Sequence, residues 1–200
     1  MRRQKGNASI VIIVVILVII VIIVALRSQK NLTEQPTFPV IQALATTEEK
    51  EVRSLDGSQK LIMKSQRQSD GTNTYSFTIV DTNKNSEQPL FAQTLPSASS
   101  MNLPQNSWAP DNMYVFVQEN ADGGVHYLVF KVSREPFTSG EQYIDVAPLF
   151  AKSQPNLKLK EVTGWDGPDT LHVTTTTPEG AKGPSFWFIV SSRAFLQLAR

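Results

Sequence analysis

Fifteen consecutive residues, Ile10 to Val24, are isoleucine or valine with the single exception of Leu17. With Ala8, Ser9, Ala25 and Leu26 they make 19 uncharged residues. At about 1.5 Å per residue a helix of this length spans roughly 28 Å, close to a hydrocarbon core of ~30 Å. Isoleucine and valine near the centre of a span are each worth about −0.3 to −0.6 kcal/mol on an insertion scale, so the run sums to roughly −5 to −9 kcal/mol. The β-branched content would weaken a helix in water, but lipid leaves the backbone no other partner than itself. A buried soluble strand is excluded by length, since strands rarely exceed ten residues. A cleaved signal peptide fits less well, because the apolar stretch is too long and its exit, Val24-Ala25-Leu26-Arg27-Ser28, has no A-x-A site. Residues 8–26 are therefore expected to form a single transmembrane helix, an uncleaved signal anchor that contacts the lipid bilayer.

The flanks give the orientation. Arg2, Arg3 and Lys5 precede the run and Arg27 and Lys30 follow it. With the free amino group, this places the basic segment 1–7 in the cytoplasm and the rest outside. Beyond residue 30 lie all 18 acids and 14 of the 19 bases, a formal charge of −4. The near-neutral total thus hides a basic anchor and a mildly acidic domain. No basic stripe suggests nucleic acid. An exported domain with no cysteine has no disulfides, which fits a bacterial envelope better than a eukaryotic ectodomain.

Residues 27–39, RSQKNLTEQPTFP, are polar with two prolines and read as a stalk. From residue 40 to 200 the chain reads as an all-β extracytoplasmic domain. Leu61–Met63, Tyr75–Val80, Tyr114–Val117, Tyr127–Phe130, Leu171–Thr174 and Phe186–Val190 are aromatic or branched runs of strand length. Asp-Gly signals at 56–57, 70–71 and 122–123 and Glu179-Gly180 separate them. No amphipathic helix of convincing length is expected. The runs also group into three similar antiparallel units, approximately 52–98, 104–150 and 158–200. Trp108 and Trp165 are 57 positions apart, and Asp56 and Asp111 are 55 apart. Self-similarity at this period suggests propeller-like blades. In each turn an aspartate can accept a backbone N–H, while Gly57 or Asn112 tolerates the left-handed conformation that follows. Trp108 and Trp165 offer large faces for packing between sheets.

Ser107-Trp108-Ala109-Pro110-Asp111-Asn112-Met113-Tyr114-Val115 resembles the W-S-P-D-G-K-x-I motif of the TolB-like, or PD40, β-propeller repeats. Ser54-Leu55-Asp56-Gly57 with Lys60-Leu61-Ile62 resembles it too, with Leu55 in place of the proline. The third copy keeps Trp165-Asp166-Gly167, but Pro168-Asp169 falls late. The resemblance spans roughly residues 52–198 and implies contact with proteins. Closed propellers have at least four blades. Three units therefore imply an open array, a strand-rich sandwich, or closure through residues 40–51 or a partner.

Chemistry is sparse. His126 and His172 fall inside expected strands, with no third ligand at a metal-like spacing. There is no G-x-S-x-G, no phosphate cradle and no calcium loop. Glu48-Glu49-Lys50-Glu51 reads as a solvated charge run. Asp56, Asp111, Asp166 and Asp169 precede strands and read as turn residues. The residues singled out, Asp56, Gly57, Trp108, Asp111, Asn112, Trp165 and Trp187, are structural, with no catalytic, cofactor or metal role. Phe186-Trp187-Phe188 sets rings on both faces of one strand, as in a buried strand or a contact surface. The expectation is a membrane-anchored interaction or scaffold module with a protein partner or self-association, and no enzyme. The alternative is a pilin-like or secretion-apparatus subunit, since Arg2-Arg3-Gln4-Lys5-Gly6 before a long apolar helix resembles a prepilin leader. Asn7 and Val11 depart from that pattern.

Overall fold

A computed structural model of the chain describes residues 47–199. The basic N-terminus, the apolar run, the stalk and Val40–Leu44 lie outside the described residues. Among the described residues, no helix is long and apolar enough to cross a membrane.

Twelve strands and one short helix follow in order: β1 (Thr47–Arg53), β2 (Gln59–Arg67), β3 (Asn73–Asp81), β4 (Ser86–Leu95), β5 (Ser100–Asn102), β6 (Tyr114–Ala121), β7 (Gly124–Lys131), β8 (Tyr143–Asp145), α1 (Val146–Ser153), β9 (Lys158–Gly167), β10 (Thr170–Thr176), β11 (Phe186–Ile189) and β12 (Ala194–Gln197). They form three four-stranded sheets, β1–β4, β5–β8 and β9–β12, each with strands in sequence order. Every pairing is antiparallel. The all-β expectation holds, and the apolar runs named above fall on β2, β3, β6, β7, β10 and β11.

Alternation in the middle sheet explains how the three sheets pack. Val115 and Val117 on β6, with Leu128 and Phe130 on β7, join a core shared with Leu61, Met63, Phe77 and Ile79 of the first sheet. Phe116, Tyr127, Val129 and Ile144 point the other way and join Val162, Leu171, Val173, Phe186 and Phe188 of the third. A strand puts successive side chains on opposite faces, so a continuous apolar run such as Val115-Phe116-Val117 is what a sheet buried on both faces requires. Each fully covered Val, Leu or Phe is worth about 1.5–3 kcal/mol relative to exposure.

Three elements escape a reading by hydrophobic pattern. β1, TEEKEVR, buries only Val52. It is an edge strand held by its ladder to β2 and by charge pairs across or along it: Lys60 with Glu51 at 3.0 Å, Lys64 with Glu49 at 3.3 Å and Arg53 with Glu51 at 3.3 Å. Such charges also discourage edge-to-edge pairing. The charge run at 48–51 is therefore solvated, as expected, but it is a strand. β9 buries only Val162 and Gly164 and carries register shifts against β10, which break its period of two. α1 buries only Val146 and Phe150, one turn apart, too few positions for a helical period to show. Its cap is clear: the Asp145 carboxylate accepts from the Ala147 N–H at 3.1 Å. Phe150 then meets Phe186 and Phe195 edge-on, with ring centroids 5.6 and 5.2 Å away.

Candidate functional site

Two turns repeat atom for atom. In the first, Gly57 N donates to Ser54 O, Ser54 N to Gln59 O, and Thr82 N to Ser58 O, each at 2.9 Å. In the second, Asn112 N donates to Ala109 O at 3.0 Å, while Ala109 N donates to Tyr114 O and Val132 N to Met113 O at 2.9 Å. The aspartates close both: Asp56 Oδ1 accepts from Ser58 N and Asp111 Oδ1 from Met113 N, each at 3.0 Å. Gly57 and Asn112 have φ of 71° and 61°, in the left-handed region. The hydroxyl of Ser54, then the Ser58 N–H and hydroxyl and the Asn112 side chain, hold the Asp56 carboxyl far below the usual carboxylate range. These hydrogen bonds shape the two turns, with four on Asp56 and one on Asp111.

The third turn is tighter, because β9 ends at Gly167 and β10 begins at Thr170. Here Asp169 stands where Ser58 and Met113 stand, its carbonyl accepting from Val190 N at 3.0 Å. Its carboxylate takes the Ser191 N–H at 3.0 Å and the Ser191 hydroxyl. Asp166 differs from the reading as a turn residue. It lies in β9, and its Oδ2 accepts from the Trp187 indole at 2.7 Å and sits 3.3 Å from His172 Nδ1.

The tryptophans tie neighbouring sheets together. Trp108 Nε1–H donates to Val52 O at 3.0 Å, and Trp165 Nε1–H to Ser107 O at 2.9 Å. Val52 and Ser107 are equivalent, each preceding the first residue of its turn by the same interval. Each indole therefore reaches back to the same carbonyl of the preceding unit. Trp165 also stacks on Tyr114, with centroids 6.0 Å apart.

We expect Asp111→Ala to lower stability by about 1 kcal/mol, the usual worth of one such hydrogen bond, measured by urea denaturation. Asn112→Gly should stay within about 0.5 kcal/mol of wild type, because relief of the left-handed conformation offsets the lost amide contact.

Other polar groups pair locally. His126 Nδ1 lies 2.7 Å from Asp145 Oδ2, so Asp145 serves both the histidine and the α1 cap. Arg193 binds Glu141 at 2.7 Å and pulls its carboxyl down to about 2, with help from the Ser139 hydroxyl. The folded state thus favours the ionised Glu141. The linked stability is fully present above the ordinary carboxyl range near 4.5 and is lost as pH falls toward 2. Thermal unfolding of Glu141→Gln against wild type should therefore differ at neutral pH and converge as the pH approaches 2.

The two outer sheets present different free faces. That of the first sheet carries the Glu49, Glu51, Lys60 and Lys64 pairs. On the third, a row crosses all four strands in register, Gly164 to His172 to Trp187 to Leu196. Phe186 and Phe188 point inward, but Trp187 is 38% exposed and Leu196 52%. Beside the row opens a cleft of about 480 Å³ lined by His172 and the residues before β11 and after β12. Among the described residues, no three His, Asp or Glu side chains gather as a metal site. Trp187 was legible as a surface-or-core ring, but the cleft was not, since it joins residues from 172 to 199.

The chain matches no protein-family model, and no curated protein matches it.

Proposed function

We propose that this chain is a single-pass, membrane-anchored extracytoplasmic interaction or scaffold module, built from TolB-like propeller-blade units and doing no catalytic chemistry. Residues 8–26 anchor it, with the N-terminus in the cytoplasm. The observation that carries the reading is the outer face of the third sheet, where Trp187 and Leu196 stand exposed beside one another. Tryptophan is among the residues that most often carry the binding energy of protein contacts, and Leu196 extends the apolar area beside it. The stacked meanders and the repeated indole latch support the blade reading. The aspartates of the first two turns support the non-catalytic one, because Ser54 and Ser58 donors hold Asp56 and the Met113 N–H holds Asp111 in its turn.

Two experiments test it. A reporter fused after Arg200 should be active only outside the cytoplasm, and a signal confined to the cytoplasm would refute the topology. Affinity purification from detergent-solubilised membranes should recover a partner with wild type and lose it with Trp187→Ala and with Leu196→Ser. Equal recovery by both variants would remove this face from the function.

A further inference from the structure

The three units correspond residue for residue where each first strand meets its second. Val52 pairs with Leu61, Ser107 O accepts the Phe116 N–H, and Gly164 pairs with His172. One residue further on, Arg53 pairs with Lys60, Trp108 with Val115 and Trp165 with Leu171. Leu61 and Phe116 pack toward the sheet that follows, and Val115 and Leu171 toward the sheet that precedes. By the same correspondence His172 faces the side on which a following sheet would lie. Arg53 and Lys60 hold the positions that meet a preceding sheet.

Inside the stack these positions are filled by apolar groups. Trp165 lies on Tyr114 and Phe116, with ring centroids 6.0 and 6.3 Å away. On the third sheet the equivalents of those two rings are Thr170 and His172, and on the first sheet the equivalent of the indole is Arg53. The polar replacements at the two ends match each other in charge. Asp166 Oδ2 stands 3.3 Å from His172 Nδ1, so a carboxylate lies where the stacking pattern would deliver Arg53. Both groups are open to solvent, the Arg53 side chain at 63% and that of Asp166 at 40%. The ion pair of Arg53 with Glu51 is an exposed one of the kind that contributes little and is easily exchanged. Trp187 and Leu196 add apolar area to the same face as Asp166.

We infer that the occupant of the third sheet's free face is the first sheet of a second copy of this chain. The stack continues across the boundary between copies in the pattern of its two internal boundaries. The Arg53 guanidinium of one copy donates to the Asp166 carboxylate of the other, a charge-assisted contact in place of the buried indole. The stems of Lys60 and Lys64 lie over Trp187 and Leu196, with their ammonium groups left in water. Two copies satisfy each other, first sheet on third sheet twice, as the self-complementary patch of a two-fold dimer requires. The pair then has six sheets, and six is the only multiple of three between the four and eight blades of ordinary closed propellers. The inference deepens the reading of this chain as a blade-built contact module and rests on it, because it names what the face meets.

The chain contains no cysteine, so introduced thiols report the contact without background. Full-length Lys64→Cys and Thr174→Cys, one on each end face, are mixed in detergent micelles at low salt and treated with a short bismaleimide. The mixture should give a cross-linked dimer, and either variant alone should give at least about 10-fold less, because neither face meets itself. Arg53→Glu in the Lys64→Cys chain sets two like charges together and should lower the yield about 10-fold. Asp166→Arg in the Thr174→Cys chain should restore it, with circular dichroism checking that each variant is folded. Sedimentation of the wild type in density-matched micelles should give the mass of two chains. A monomer, a mixture that does not cross-link, or a yield indifferent to Arg53→Glu would overturn the proposal. So would Thr174→Cys that cross-links to itself as well as to Lys64→Cys, since the third sheets would then face each other. Recovery of a different protein through Trp187 and Leu196, with no cross-linking between copies, removes this inference and leaves the contact-face reading standing. Neither recovery nor cross-linking removes both.

Discussion

Trp108→Ala is expected to destabilise the domain by about 4 kcal/mol, within the range for removing a large buried aromatic ring. The ring is 4% exposed and belongs to the core between the first and second sheets. Its indole N–H is spent on Val52 O at 3.0 Å, across that same boundary. Truncation therefore removes packing and a hydrogen bond at once, and both losses fall between sheets. Trp108→Phe separates them. It keeps most of the ring but leaves the indole's partner carbonyl with one bond fewer, for a loss of about 1–2 kcal/mol. Urea denaturation of the compact unit Leu44–Arg200 is the measurement. Because the latch joins two sheets, the alanine variant should also lower the denaturant slope, as the first sheet loosens before the others. A loss below about 1 kcal/mol would mean the indole is not the tie that the geometry makes it.

Gly164→Ala should cost about 3 kcal/mol, combining a forbidden backbone conformation with overpacking. Gly164 has φ of 140°. A Cβ built there would lie 2.4 Å from Asn106 Nδ2 and 3.0 Å from its Cγ. Gly57 is the control. Its φ of 71° is also left-handed, but a Cβ there meets nothing within 4 Å. Gly57→Ala should thus cost only about 1 kcal/mol, the conformational part alone. Combining Gly164→Ala with Asn106→Ala should recover about 1 kcal/mol of the loss relative to additivity, since the pair is in contact. Simple additivity in that cycle would show that Asn106 does not press on Gly164.

Much of the fold was legible because its strands are unusually apolar. Tyr114-Val115-Phe116-Val117 and Tyr127-Leu128-Val129-Phe130 read as strands from their aromatic and branched residues, and the structure places them in the middle of the stack. The Asp-Gly and Asp-Asn turns carry their geometry in their letters, because a short acceptor followed by a residue tolerant of positive φ is a local device. β1, β9 and α1 were not legible for the opposite reason. Their stability comes from partners: a charge ladder against β2, an irregular register against β10, and two rings met by Phe150. Asp166 read as a turn residue for want of the same information. Its role depends on Trp187 and His172, which reach it only once β9, β10 and β11 are paired.

The sequence by itself determined an apolar run of membrane-spanning length, an all-β domain beyond it, an aspartate turn repeated at Asp56 and Asp111, a tryptophan repeated at 108 and 165, and the want of any familiar catalytic motif. All of these rest on composition and on spacing within a few residues. The tertiary structure alone decided which carbonyl each indole reaches, which sheet is buried on both faces, and that His172, Trp187 and Leu196 share one face of the third sheet. Those facts depend on pairing between residues up to 58 positions apart, as for Trp165 and Ser107. Local propensity carries no record of such distances, because the free energy that fixes them is gained only when whole sheets stack.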